Sequence, residues 1–378
     1  MHHHLRLLLA AVGGAALPAQ TTWIVNAAGG PGVHFTALAP AVAAAAPGDT
    51  ILVHAGPFLE GGEPFVTNKG LTIVGVGGQV PIWTTATQPI EVNGLPAGQT
   101  FRMAGFHRVS NGEIGVRLTN CVGAVHLENL RAREPDWVFP NTAAVAIDNC
   151  ASVTMRAVDT FGYPAVQITN SGVVMTSCRL GITHIGLGGG PCLQATNSAV
   201  DLVMPRFDAA WHPYAITATG SQLRIAGTGA ALVVGGSPIS VVANGGAVAI
   251  DPRVVMGSTP VAGSAVVTFG PLAASFPTAN ATPGATWAVT TTAAPGWTIF
   301  QAFGAPGLLQ TSPLGSLGID PLQPYAFFPA AVVPAAGVVT NTLSIPLGMA
   351  RGSAWATQAV VWDGVTLSLG APATFVVQ

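Results

Sequence analysis

Charge is what this sequence has least of. Of its 378 residues only 13 are Lys or Arg and 15 are Asp or Glu, so 7% carry charge, against roughly 25% in an average soluble domain. Lys69 is the single lysine. A net charge of −2 offers no basic stripe for a nucleic-acid backbone, and nothing steers the chain toward anionic membranes. Long apolar runs are also missing. Although 49% of residues are hydrophobic, no uninterrupted stretch beyond the N-terminal leader reaches the ~20 residues of a membrane-spanning helix. Such a chain is too apolar for disorder. Gly, Ala, Thr, Ser and Asn are left to coat the surface, which suits stacked strands and turns. The length allows a large core and two domains.

The first 19 residues read as a signal peptide. Arg6 with His2, His3 and His4 forms the n-region, Leu7 to Leu17 the apolar core, and Pro18-Ala19-Gln20 the cleavage region. The histidine run is metal-ligating in type but falls in the segment that would be removed, so no metal site is assigned. An exported chain meets an oxidising compartment, where four cysteines can pair.

From about residue 110 to 255 a repeat appears. It is an apolar-x-apolar-x-Asn-(Cys/Ser) turn followed by a second apolar-x-apolar strand. Its clearest copies end at Asn120, Asn149, Asn170 and Asn197, which lie 29, 21 and 27 residues apart. One coil of a β-solenoid with loops of variable length accommodates that scatter. Alternation of period two puts Val116 and Leu118 inside, and Arg117 and Thr119 outside. Stacked coils lie ~4.8 Å apart, so equivalent residues form columns. Asn120, Asn149, Asn170 and Asn197 make one. Each should bond the next coil's backbone and tolerate a strained turn. Cys121 and Cys150 follow in the same column, at a spacing a disulfide accepts. Cys178 with Cys192 would close the loop between them. Four cysteines allow three pairings, and buried free thiols remain the alternative.

After Met256 the remainder reads as short alternating strands between Pro/Gly turns, among them Ala265 to Phe269, Thr286 to Thr292 and Trp355 to Val361. That punctuation predicts an antiparallel β-sandwich over 257–378. It holds only Asp320, Arg351 and Asp363 as charged side chains, with no Cys or His, and is expected to be a non-catalytic accessory domain.

Aligning the strand after each asparagine turn gives a second column of Arg131, Asp159, Arg179 and Arg206, with Asp208 two residues beyond. The loops that follow carry Trp137, Phe139, Tyr163, His184, Trp211, His212 and Tyr214. Aromatic faces stack on sugar rings and arginine forks clamp carboxylates. The column therefore points to a groove for polysaccharide or cell-surface glycan, an acidic one above all. The plainer alternative is that Asp159 merely neutralises its arginine neighbours. Glu128 beside Arg156, and Asp201 beside Arg224, read as ordinary cross-coil pairs.

The opening of the chain adds a family likeness. Trp23 to Val25 is a strand, Phe35 to Ala46 an apolar helical patch, Pro47-Gly48-Asp49 a break, and Ile51 to Val53 a new strand. This order resembles the start of right-handed parallel β-helix proteins of the pectin-lyase-like type, in which the helix caps the coil. Gly56-Pro57-Phe58-Leu59-Glu60 is similar to the first motif of pectinesterases (Gly, any, Tyr, any, Glu). Val158-Asp159-Thr160-Phe161-Gly162 is similar to their Val-Asp-Phe-Ile-Phe-Gly segment, whose Asp is the nucleophile. The resemblance implies Asp159 as a catalytic carboxylate, with Arg131 and Arg179 holding it ionised. The chain departs from the family in lacking a Gln-Asp pair and Leu-Gly-Arg-Pro-Trp. Gln167 and Gln194 offer only a loose substitute for the oxyanion donors.

The expected fold is thus all-β: a right-handed parallel β-helix over 20–256 with a short N-terminal capping helix, then the sandwich. The expected role is a secreted or envelope protein that binds glycan without catalysis, cofactor or metal, and has no transmembrane segment once the signal is removed. Two alternatives stand: a polysaccharide lyase, esterase or hydrolase using Asp159, and a purely structural envelope component.

Overall fold

The computed structural model describes residues 20–54, 65–77, 80–83, 89–109, 115–133, 143–182, 190–208, 214–227, 231–232, 239–256, 259–278, 280–312, 315–323 and 325–378. The described residues are mostly strand, with one helix among them, and form a parallel β-helix of the right-handed type beside a set of antiparallel sheets. Each coil has three legs. The first and second legs belong to one bent 17-stranded sheet and the third to a 9-stranded sheet. No helix among the described residues is long and apolar enough to cross a membrane.

The repeat sets the register. Val116, Val145, Val166, Leu193, Ile216 and Val241 stack in order on the third leg, and all are buried. The asparagine column turns the third leg into the first. Asn120, Asn149, Asn170 and Asn197 have φ of +54°, +52°, +48° and +49°, a left-handed conformation that asparagine tolerates better than most residues. Asn149 Nδ2 donates to Asn120 Oδ1 at 3.3 Å. The bonds to backbone come instead from the next column. Cys150 N donates to Ser171 Oγ (2.9 Å), Ser171 N to Ser198 Oγ (3.1 Å) and Ser198 N to Ser221 Oγ (3.2 Å).

A second bend, between the first and second legs, also has positive φ: Asn129, Ala157, Ser177 and Met204 all lie near +50°.

At the N-terminal end the helix α1 (Leu38–Ala44) lays Leu38, Ala41 and Val42 on the first coil. It is shorter than the predicted patch. Lys69 caps its end: its Nζ donates to the carbonyls of Val42 (3.1 Å), Ala43 (2.8 Å) and Ala45 (2.8 Å), where the helix dipole favours a cation. Asp49 fixes the turn that follows. It accepts from Thr21 N (2.8 Å), Trp23 Nε1 (2.9 Å) and Ala46 N (2.9 Å).

Two sequence expectations need correction. Ala265 to Phe269 was grouped with the sandwich, but Val266–Phe269 pairs in parallel with Ala247–Ile250 and is the last strand of the coil. Glycines at 245, 246 and 263, all with positive φ, replace the Asn-Ser signature there and hide the repeat. The other correction concerns the cysteines. Cys121, Cys150, Cys178 and Cys192 are free and buried. Cys121 and Cys150 do stack, as thiols turned to the carbonyls of Thr119 (3.4 Å) and Asp148 (3.4 Å). The neighbouring Cys150 thiol lowers Cys121 to about 7, and Cys121 in turn raises Cys150. Cys178 turns its Sγ to the carbonyls of Met155 (3.4 Å) and Thr176 (3.6 Å) at the second bend, whereas Cys192 enters the third leg just before Leu193. They occupy different corners of the coil.

The C-terminal part holds a 3-stranded and a 6-stranded antiparallel sheet facing each other across Trp287, Phe303 and Phe375, with a polar seam in which Gln301 bonds Ser275, Thr291 and Thr357, and a two-stranded hairpin of Pro306–Ser312 and Gly315–Ile319. It does not close the end of the coil, where Val266 and Phe269 stay 67% and 59% exposed. It lies along the first leg. Val74 and Ala104 pack with Val376, and Val203 and Ala226 with Ala274 and Ala371. Gly352, at φ +84°, sits where a Cβ would meet the Thr72 methyl at 2.7 Å.

Candidate functional site

The sandwich covers the outer face of the first leg and leaves that of the second leg open. There the register places Arg131 opposite Asp159, Asp159 opposite Arg179 and Arg179 opposite Arg206. The column read from the sequence exists. Arg131 Nε lies 3.7 Å from Asp159 Oδ2. Arg179 Nε bonds Asp208, which Arg206 Nε also reaches at 3.3 Å. Side-chain exposure is 42% for Arg179 and 68% for Arg206, so the guanidinium edges face solvent.

Two members of this face escaped the sequence reading. Phe161 lies two residues after Asp159, hence on the same side of its strand. Its ring crosses the next coil at Gly181, where a Cβ would come within 2.3 Å of it. The Arg179 guanidinium lies 5.0 Å from the ring centroid, a cation–π contact. His107 stands opposite Arg131 in the preceding coil and extends the column. Period-two alternation from either neighbour is the signal that finds both.

Of the predicted loop residues, Tyr163 lies against Gly190, and burial followed by the nearby Tyr214 raises its phenol. These two tyrosines meet at the corner between second and third legs. Trp137, Phe139, His184, Trp211 and His212 lie outside the described residues, as does the Gly56 to Glu60 motif.

The arrangement limits what chemistry the column can do. Asp159 and Asp208 are separated by two coils and two residues. By strand spacing that is roughly 12 Å between Cα atoms, with Arg179 standing between them. A glycosidase pair needs about 5–5.5 or 6.5–9.5 Å between carboxyls. Both carboxylates are engaged by arginines. Gln167 and Gln194 stack on the third leg, in the other sheet from Asp159. No group of three or more His, Cys, Asp or Glu gathers among the described residues.

Searches of protein-family models, curated proteins and solved structures return no match. The reading of the site therefore rests on its own geometry.

Beneath the sandwich the first leg carries a second polar cluster. His126 is buried; its Nδ1 accepts from the Thr154 hydroxyl, which in turn accepts from Thr374 Oγ1 at 2.9 Å. The proton then sits on Nε2, which is buried and finds no acceptor. Burial, followed by the charge of Arg102, lowers His126 to about 3 from an ordinary 6.5. Between those values the unfolded chain binds a proton that the folded chain refuses. Stability should thus fall as pH is lowered from 6.5 toward 3, by up to ~1.4 kcal/mol per pH unit from this residue. The urea midpoint against pH checks this. His126→Leu should flatten the slope in that window, and an unchanged slope would assign the effect to other groups.

Proposed function

We propose that this protein is an exported β-helix of pectin-lyase-like type that binds polysaccharide along its second leg and does not turn it over. What supports this is one observation. In a chain with so little charge, Arg131, Asp159, Arg179 and Arg206 occupy one column over four successive coils, with Phe161 among them and open guanidinium edges. A guanidinium fork meets the carboxylate of a uronate, and a ring face meets the apolar face of a sugar. The carboxylates that a hydrolase or esterase would use are spent on the arginines.

Affinity electrophoresis through gels containing polygalacturonate or a neutral glucan tests the reading. Wild type should be retarded by the acidic polymer. Arg179→Ala and Arg206→Ala should each weaken retention roughly tenfold, the value of about one charge-assisted hydrogen bond. Added salt should weaken it further. No retardation on either polymer would overturn glycan binding. Product release abolished by Asp159→Asn would replace the binding protein with an enzyme. The exposed Val266 and Phe269 at the open end favour a second reading, a structural component that packs against neighbours. Intact surface assembly after all four column residues are replaced would decide for it.

A further inference from the structure

A cavity of about 290 Å³ opens beside the first leg, on the far side of the bend from the second-leg column. It is lined by Gln20, Gly48, Gly70, Gln99, Thr100 and Arg102, among others. Its wall contributes donors and no carboxylate. The Gln99 Oε1 already accepts from Gly70 N at 2.6 Å, so the amide NH2 is the end of that side chain left to bind. Among the described residues the side chain of Arg102 makes one long hydrogen bond, to Thr72 Oγ1 at 3.5 Å, and its buried Nε finds no acceptor. Nearby acids are committed elsewhere. Asp49 is held by Thr21, Trp23 and Ala46, and Glu128 by Arg156, Val376 and Gln378. The next residue in the column, His126, presents another buried N–H with nothing to accept it.

Arg102 is half-buried, and a guanidinium whose inner edge is buried without an acceptor is costly to hold. The Arg156 and Arg253 side chains, on the same molecule, are both paired with carboxylates. Arg102 has no carboxylate partner among the described residues, and it is the one that lines a cavity. Burial lowers its pKa to about 10, still far above neutrality, so the charge persists.

We propose that this cavity is an anion-binding subsite in which the Arg102 fork takes two oxygens of a carboxylate or phosphate group, with Gln99 and Thr100 as neutral donors. The volume lies at the small end of ligand pockets, so the occupant is a single acidic sugar or a small phosphate rather than a polymer segment. The assignment does not rest on the second-leg reading.

Thermal shift and isothermal titration of the full chain test it, with sodium phosphate, sodium galacturonate and galactose as probes at constant ionic strength. Phosphate or galacturonate should raise Tm and bind saturably, whereas galactose should do neither. A stronger response to galacturonate assigns a carboxylate, and a stronger response to phosphate assigns a phosphate ligand. Arg102→Met should match or exceed the wild-type Tm without anion and lose the response. Arg102→Lys, which keeps the charge and loses the fork, should weaken binding at least tenfold. If Arg102→Met fails to fold, Gln99→Ala is the second variant and should weaken binding severalfold. Arg117→Ala, on the third leg, should leave the response intact. A phosphate response that survives Arg102→Met would place the anion elsewhere and overturn the proposal. So would a wild type that responds to neither anion.

Discussion

Glu128→Leu should destabilise the protein by about 3–5 kcal/mol, read as a lower urea midpoint at unchanged slope. Its carboxylate is the point where the coil and the sandwich are joined. Glu128 is buried, bonds the Arg156 guanidinium, and accepts from Val376 N at 2.6 Å and Gln378 Nε2 at 3.2 Å. Arg156 reaches on to Asn280 Oδ1 at 2.9 Å. Removing the acid strands a buried guanidinium and orphans a backbone N–H of the sandwich's last strand. Removing the base is less severe, since Arg156→Met leaves Glu128 with two donors. The order of the two losses is the diagnostic. An ordinary exposed pair contributes ~0.2–1 kcal/mol and would show neither the size nor the asymmetry.

That pair shows where sequence reasoning stops. Glu128 opposite Arg156 follows from alternation and coil register, and so do the second-leg column and the asparagine turns. The reason is physical. A period-two pattern fixes which residues point outward, and left-handed turns select asparagine, so both leave a mark on local composition. Whether an outward residue meets water depends on chain some 250 residues later, and nothing near Glu128 or His126 records that the sandwich lies over them. The bend at Ala157, Ser177 and Met204 is equally silent, because stacking between coils imposes the conformation on residues with no preference for it. Cys121 and Cys150 were correctly placed in one column, yet the same column held by Ser171 and Ser198 is a hydrogen-bond ladder, and the thiols take part as donors to carbonyls. Phe161 was overlooked since its strand is only three residues long, too short for alternation to stand out.

The other large loss is expected at Asp251, at the far end of the same interface. Its carboxylate is fully buried and accepts from Arg253 N (2.9 Å), Arg253 Nε (2.8 Å) and Nη2 (2.5 Å), and from Leu272 N (3.0 Å). Arg253 then donates to the carbonyls of Ala293 (3.0 Å) and Gly337 (3.3 Å) in the sandwich. Asp251→Asn keeps the shape but turns an NH2 toward groups that are themselves donors, and leaves the guanidinium uncompensated. It should cost about 3–5 kcal/mol. Glu128 and Asp251 share no partner, so with the sandwich still docked in each single variant their losses should add to within about 0.5 kcal/mol in the double variant. A double variant markedly more stable than that sum has a different meaning. One broken clamp would then already release the whole sandwich and expose the first leg, and protease cleavage between Phe269 and Ala274 in the single variants would show it directly. Additive losses without that cleavage would mean that the sandwich stays on the first leg, keeping the second leg as the face open to a ligand.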